Sequence, residues 1–100
     1  MDPQLEDALL ALKRDFPLRL PVHVETVACI TDEKESHFFG MADKILGVFL
    51  IVITDTYDLT QQVDTLWHEW THCLIWPRCR HRHSKQFWAA YGRIYSHYQD

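Results

Sequence analysis

The chain has 100 residues, of which 47% are hydrophobic and 13% aromatic. That length makes one small domain with a modest core, and no apolar run approaches the roughly 20 residues of a membrane-spanning helix. A net charge of −4 disfavours nonspecific nucleic-acid binding, and three cysteines without a Cys-x-x-Cys pattern disfavour a disulfide framework or a zinc knuckle.

Residues 3–16 read as a helix: Pro3 suits its first turn, and Leu5, Leu9, Leu12 and Phe16 recur at helical spacing. Pro17 and Pro21 then break the chain. Residues 22–27 alternate and predict a strand, 33–36 a polar turn, and His37 to Ala42 a second strand. The β-branched run at 47–54 predicts a third strand, buried on both faces. Asp58 or Thr60 is a candidate N-cap for a helix over about 60–75, ended by Pro77. Ser84 is a natural start for a last helix reaching Tyr98. Its stripe of Phe87, Tyr91, Ile94, Tyr95 and Tyr98 reads as core. The prediction is a single α+β domain over residues 1–100: N-terminal helix, about three strands, a second helix and a closing helix.

The second helix carries His68-Glu69-Trp70-Thr71-His72. Residues four apart on a helix point the same way, so His68 and His72 can grip one metal ion with Glu69 beside it. Asp64, Thr65 and Ile75 flank the pair, while Val63, Leu66, Trp67, Trp70, Cys73 and Leu74 form an opposite apolar face that should be buried. A catalytic zinc takes a third protein ligand. His83 opens the last helix, one turn before Phe87 and on its side, so packing of the stripe would turn it toward the pair. His81, in the connecting loop, is the rival, and Cys79 a lesser one.

The segment His68-Glu69-x-x-His72, a short connection, then His83-Ser84-x-x-Phe87-Trp88 resembles the SprT-like zinc metallopeptidases and their small YgjP and WLM relatives. The resemblance is strong over about residues 59–90, and the order of elements before it is similar to a minimal zincin. It implies zinc ligands at His68, His72 and His83, and a general base at Glu69. The implied activity is zinc-dependent hydrolysis of a protein or peptide substrate, with a zinc-stabilised interaction domain as the alternative. No side chain stands out as an oxyanion donor; His81 and Tyr91 are the candidates.

An extended substrate is expected against an exposed sheet edge, with Ile75 and residues 77–82 at the rim of the cleft. Arg78, Arg80, Arg82 and Lys85 put four of the ten basic residues within eight positions. They make either a solvated loop or a positive rim that attracts acidic peptide or nucleic acid. His23 and His37 lie on predicted strands, where either could face the site, but both read as ordinary strand residues, and His97 reads as solvent-exposed. The acidic first residues carry no signal-peptide pattern, so a cytoplasmic protein is expected.

Overall fold

The computed structural model describes residues 1–76 and 82–99. Its elements run α1 (Pro3–Asp15), β1 (Val22–Val27), β2 (Gly40–Ile45), β3 (Val48–Thr54), α2 (Leu59–Leu74) and α3 (Lys85–Tyr98). This is the α+β order that the sequence pattern predicts. Short polar side chains start each helix by accepting an otherwise unpaired backbone N–H. Asp2 accepts from Gln4 at 2.8 Å, Asp58 from Gln61 at 2.8 Å, and Ser84 from Phe87 at 3.2 Å. Asp58, rather than Thr60, therefore caps α2.

The sheet has the order β1-β3-β2, with β1 parallel and β2 antiparallel to β3. The central position of β3 explains its unbroken apolar run. Phe49, Ile51 and Ile53 are fully buried, and Val52 and Thr54, which point the opposite way, are buried as well.

The second strand departs from expectation. It covers Gly40 to Ile45 rather than His37 to Ala42. The cause is the turn that follows it. Leu46 and Gly47 have φ of 51° and 78°, the two left-handed positions of a type I′ hairpin. Pairing starts at Ile45↔Val48 and runs back to Gly40↔Ile53, so the turn sets the register. His37 forms only an isolated bridge to Thr31.

Helix α2 is the centre of the packing. Its Leu66, Trp67, Trp70 and Cys73 join Leu5, Leu9 and Leu12 of α1 and the inward residues of β3 in one apolar cluster. Trp70 is fully buried, and its indole N–H donates to the Phe16 carbonyl at 2.8 Å, which satisfies the one polar atom of the side chain. The stripe on α3 is only partly core. Phe87, Ala90 and Ile94 are buried, Tyr91 and Tyr98 are half-buried, and Tyr95 is exposed with its ring edge-on to Trp67. Helix α3 packs mainly on α2, with Tyr98 at its end also reaching Asp15 and Phe16, and the exposed Tyr95 leaves one flank of the stripe to water. Phenol rings tolerate that position because their hydroxyl ends stay solvated.

Candidate metal centre

The apolar face of α2 is fixed by the core, and this turns the opposite face, with His68 and His72, away from it. The Ser84 cap and the buried Phe87 anchor the start of α3 and hold His83 over the same face. The Phe87 ring lies 4.8 Å from His68, 4.5 Å from His72 and 4.8 Å from His83, centroid to centroid. One buried ring thus supports all three imidazoles.

The Nε2 atoms converge. His68 and His83 are 3.0 Å apart through these atoms, and His72 and His83 3.2 Å. Two nitrogens held by one tetrahedral zinc at 2.0–2.1 Å would be roughly 3.3 Å apart. A neutral imidazole nitrogen is either donor or acceptor, so His83 Nε2 cannot satisfy both neighbours with one proton. Three lone pairs around one point form a ligand set, and the trio can hold a metal ion. Burial holds the His68 pKa below its usual value, and the neighbouring His83 adds to this against the opposing pull of Asp64. The shift favours the neutral form that metal binding needs.

Glu69 lies beside the trio and is 8% exposed. Burial pushes its pKa up to about 7. Cys73 is packed into the core and pushed up to about 12, by burial first and by Glu69 second, which leaves an inert thiol.

The trio and Glu69 open onto a cleft of about 710 Å³ between α2 and the segment from His37 to Asp43. Gly40 makes this close approach possible. A Cβ there would fall 2.5 Å from the Thr65 methyl carbon and 2.9 Å from the Val52 carbonyl oxygen, with Glu69 Cγ at 3.4 Å. Nothing larger than glycine fits between β2 and α2 at this level.

Of the predicted site residues, the structure brings His68, Glu69, His72 and His83 together. Tyr91, considered as an oxyanion donor, has its ring 6.0 Å from that of His68, but its hydroxyl is engaged: it donates to the Asp64 carboxylate. Burial, and then this bond, raise its pKa. Ile75 is not among the residues that line the cleft, residues 77–81 lie outside the described residues, and the wall facing the histidines is the run from His37 into β2. Arg78, Cys79, Arg80 and His81 lie outside the described residues, while Arg82 and Lys85 are exposed. His23 is exposed beside Glu25, and His97, exposed as expected, reaches Asp15 at 3.3 Å.

Two residues of the cleft escape a reading by motif. Gly40 has no turn signal around it, and its role appears only when α2 is laid on the sheet. His37 is not a strand residue: it precedes β2 and lines the cleft. No helix among the described residues is long and apolar enough to cross a membrane. Comparison with known protein families, curated proteins and solved structures returns no match for this chain.

Proposed function

We propose that this chain is a zinc-dependent peptidase of the zincin type, allied to the SprT-like group, which hydrolyses peptide bonds with Glu69 as general base. The observation that carries the reading is a buried carboxyl, with no Lys or Arg partner among the described residues, on the wall of the cleft that three converging imidazoles also line. A solely structural site has no use for such a group, and its burial works against the fold.

His68, His72 and His83 are the proposed ligands. Three imidazole nitrogens would match the donor set of a catalytic zinc, which takes three protein ligands and a water. When bound, zinc supplies Lewis acidity, which acidifies a water molecule and polarises a carbonyl oxygen. Glu69 accepts the proton of the attacking water and passes it to the departing amine nitrogen. A carboxyl whose charged form is disfavoured by burial and favoured by a cation beside it can take up the proton and give it back. The substrate lies as an extended segment along β2, which is an edge strand with one side unpaired in the sheet order. An exposed, free Cys29 thiol suits a reducing compartment such as the cytoplasm.

One observation also favours a zinc-stabilised interaction domain. His83 precedes α3, so a metal held by the trio would staple α3 to α2 whether or not turnover occurs. The two readings separate on Glu69→Gln. Wild type and variant, both shown to hold one zinc, are incubated with unfolded proteins and a peptide library. Cleavage by wild type, reduced at least about 100-fold in the variant, supports the peptidase. Zinc loading without cleavage by either protein favours the interaction domain.

A further inference from the structure

A fourth histidine lies on the cleft and no part of the reading above employs it. His37 is thirty-one positions before the first of the three converging histidines, on the opposite wall. It is held there by a built loop rather than by a strand. Asp32 Oδ1 accepts from the backbone N–H of Lys34 and of Ser36, each at 2.9 Å. Phe38 N–H donates to the Ile30 carbonyl at 3.1 Å, and Thr31 bridges to His37. The ring is oriented in turn, with Nδ1 3.4 Å from Cys29 Sγ.

We propose that His37 is the oxyanion donor of the cleft, giving an Nε2–H hydrogen bond to the substrate carbonyl oxygen as negative charge develops on it. In the arrangement proposed, the Cys29 thiol donates to Nδ1, which places the proton of the neutral ring on Nε2 and makes that atom the donor. Cys29 is then a positioning residue that sets the tautomer. The bond-making is unchanged: the water oxygen joins the carbonyl carbon, the carbon–nitrogen bond breaks, and Glu69 carries the proton. His37 gains and loses none. Hydrolysis at a carbonyl needs a donor aimed at the new charge, and His37 supplies one from the wall facing Glu69.

This inference rests on the peptidase reading, so its test has two arms. The first compares zinc-loaded wild type, His37→Ala and His37→Gln in peptide cleavage. The expected result is a kcat about 100-fold lower in His37→Ala, a KM within about threefold, and partial recovery in His37→Gln, whose amide still donates. The second arm needs no turnover. A phosphinic peptide, whose anionic oxygen mimics the developing charge, is titrated calorimetrically into each zinc-loaded protein. His37→Ala is expected to weaken binding at least about tenfold, with unchanged zinc content and melting temperature. Nitrogen-15 shifts of the His37 ring should report the Nε2–H tautomer, and Cys29→Val should reduce that preference. Cleavage and phosphinate affinity both unaltered in His37→Ala would overturn the inference and leave the peptidase reading intact. If wild type cleaves nothing yet His37→Ala weakens phosphinate binding, the peptidase reading falls while His37 stands as a donor to an anionic oxygen in the cleft.

Discussion

His72 Nε2 and His83 Nε2 lie 3.2 Å apart although the residues are 11 positions apart and on either side of a helix break. This contact crosses from α2 to the residue before the Ser84 cap of α3, at the opposite end of α3 from the Tyr98 hydroxyl that donates to Asp15 of α1. A metal at the trio therefore ties the start of α3 to α2.

Removing the metal should loosen α3 before the rest of the fold. Chelation of the zinc-loaded protein is expected to speed amide exchange throughout α3, while α1 and β3, held by the apolar cluster, keep their protection. His83→Ala should reproduce the effect without chelator. The pair His68→Ala/His72→Ala should hold no zinc at all. Uniform exchange across all helices after chelation would show that the trio does not couple α3 to α2.

Acid should release the other end of α3. Asp15, at the end of α1, takes hydrogen bonds from Arg14 at 2.8 Å and from the Tyr98 hydroxyl at 2.9 Å, with His97 at 3.3 Å. The bond from Arg14, with help from Tyr98 and His97, holds the Asp15 carboxyl well below its usual range. A carboxyl whose pKa is lower in the fold than in the unfolded chain adds stability above its unfolded pKa. That stability is lost as pH falls through the folded value. The wild-type melting temperature should thus fall between about pH 4 and pH 2 more steeply than that of Asp15→Asn. Superimposable profiles for the two proteins would remove Asp15 as a tie.

The helices were legible because each combines a cap with a 3.6-residue apolar period, and their bounds fall within one residue of the reading. The two motif histidines were legible for the same reason: their spacing is a property of the helix itself. The β2 register was not. A two-residue hairpin usually shows Asn-Gly or Asp-Gly, and here Leu46, 97% exposed with φ of 51°, takes the first place. The stretch from His37 to Phe39 looked like a strand by its aromatics, yet it is the cleft wall. His37 belongs to the site only through the loop at Asp32 and the pairing of β2 on β3, which are long-range facts that no local pattern encodes. Gly40 was hidden likewise, since its need for a bare Cα comes from a helix 25 or more residues later.

Gly40→Ala should be costly for a residue on an edge strand. Its new Cβ would meet the Thr65 methyl at 2.5 Å and the Val52 carbonyl at 2.9 Å, and the second of these is backbone that cannot rotate away. Overpacking of this kind costs typically about 1–3 kcal/mol. The shift between α2 and β2 would also reach Glu69. The expected outcome is a lower melting temperature together with a loss of cleavage greater than the unfolded fraction explains. Thr65→Ser, which deletes the methyl, should recover part of both in the double variant. A Gly40→Ala protein as stable and active as wild type would show that α2 does not press on β2 at this level.

Glu69 should set the pH dependence of the metal-free fold. Its carboxyl titrates at about 7 when buried, against an ordinary 4.5. A carboxyl raised in the fold binds its proton more tightly there than in the unfolded chain. Its contribution is therefore most favourable at low pH and is lost as pH rises from the unfolded value through about 7. Glu69→Gln cannot ionise and escapes the loss. His68, whose shift acts in the opposite sense, is present in both proteins and largely cancels in the comparison. Melts of chelator-treated wild type and Glu69→Gln should nearly coincide at pH 4.5 and diverge up to pH 8, with the variant higher by about 5 °C or more. Zinc should narrow the gap, because a bound cation beside the carboxylate favours its charged form. Parallel curves from pH 4.5 to 8 would mean that Glu69 reaches water in the folded chain, and its place on the wall of a confined cleft would have to be redrawn.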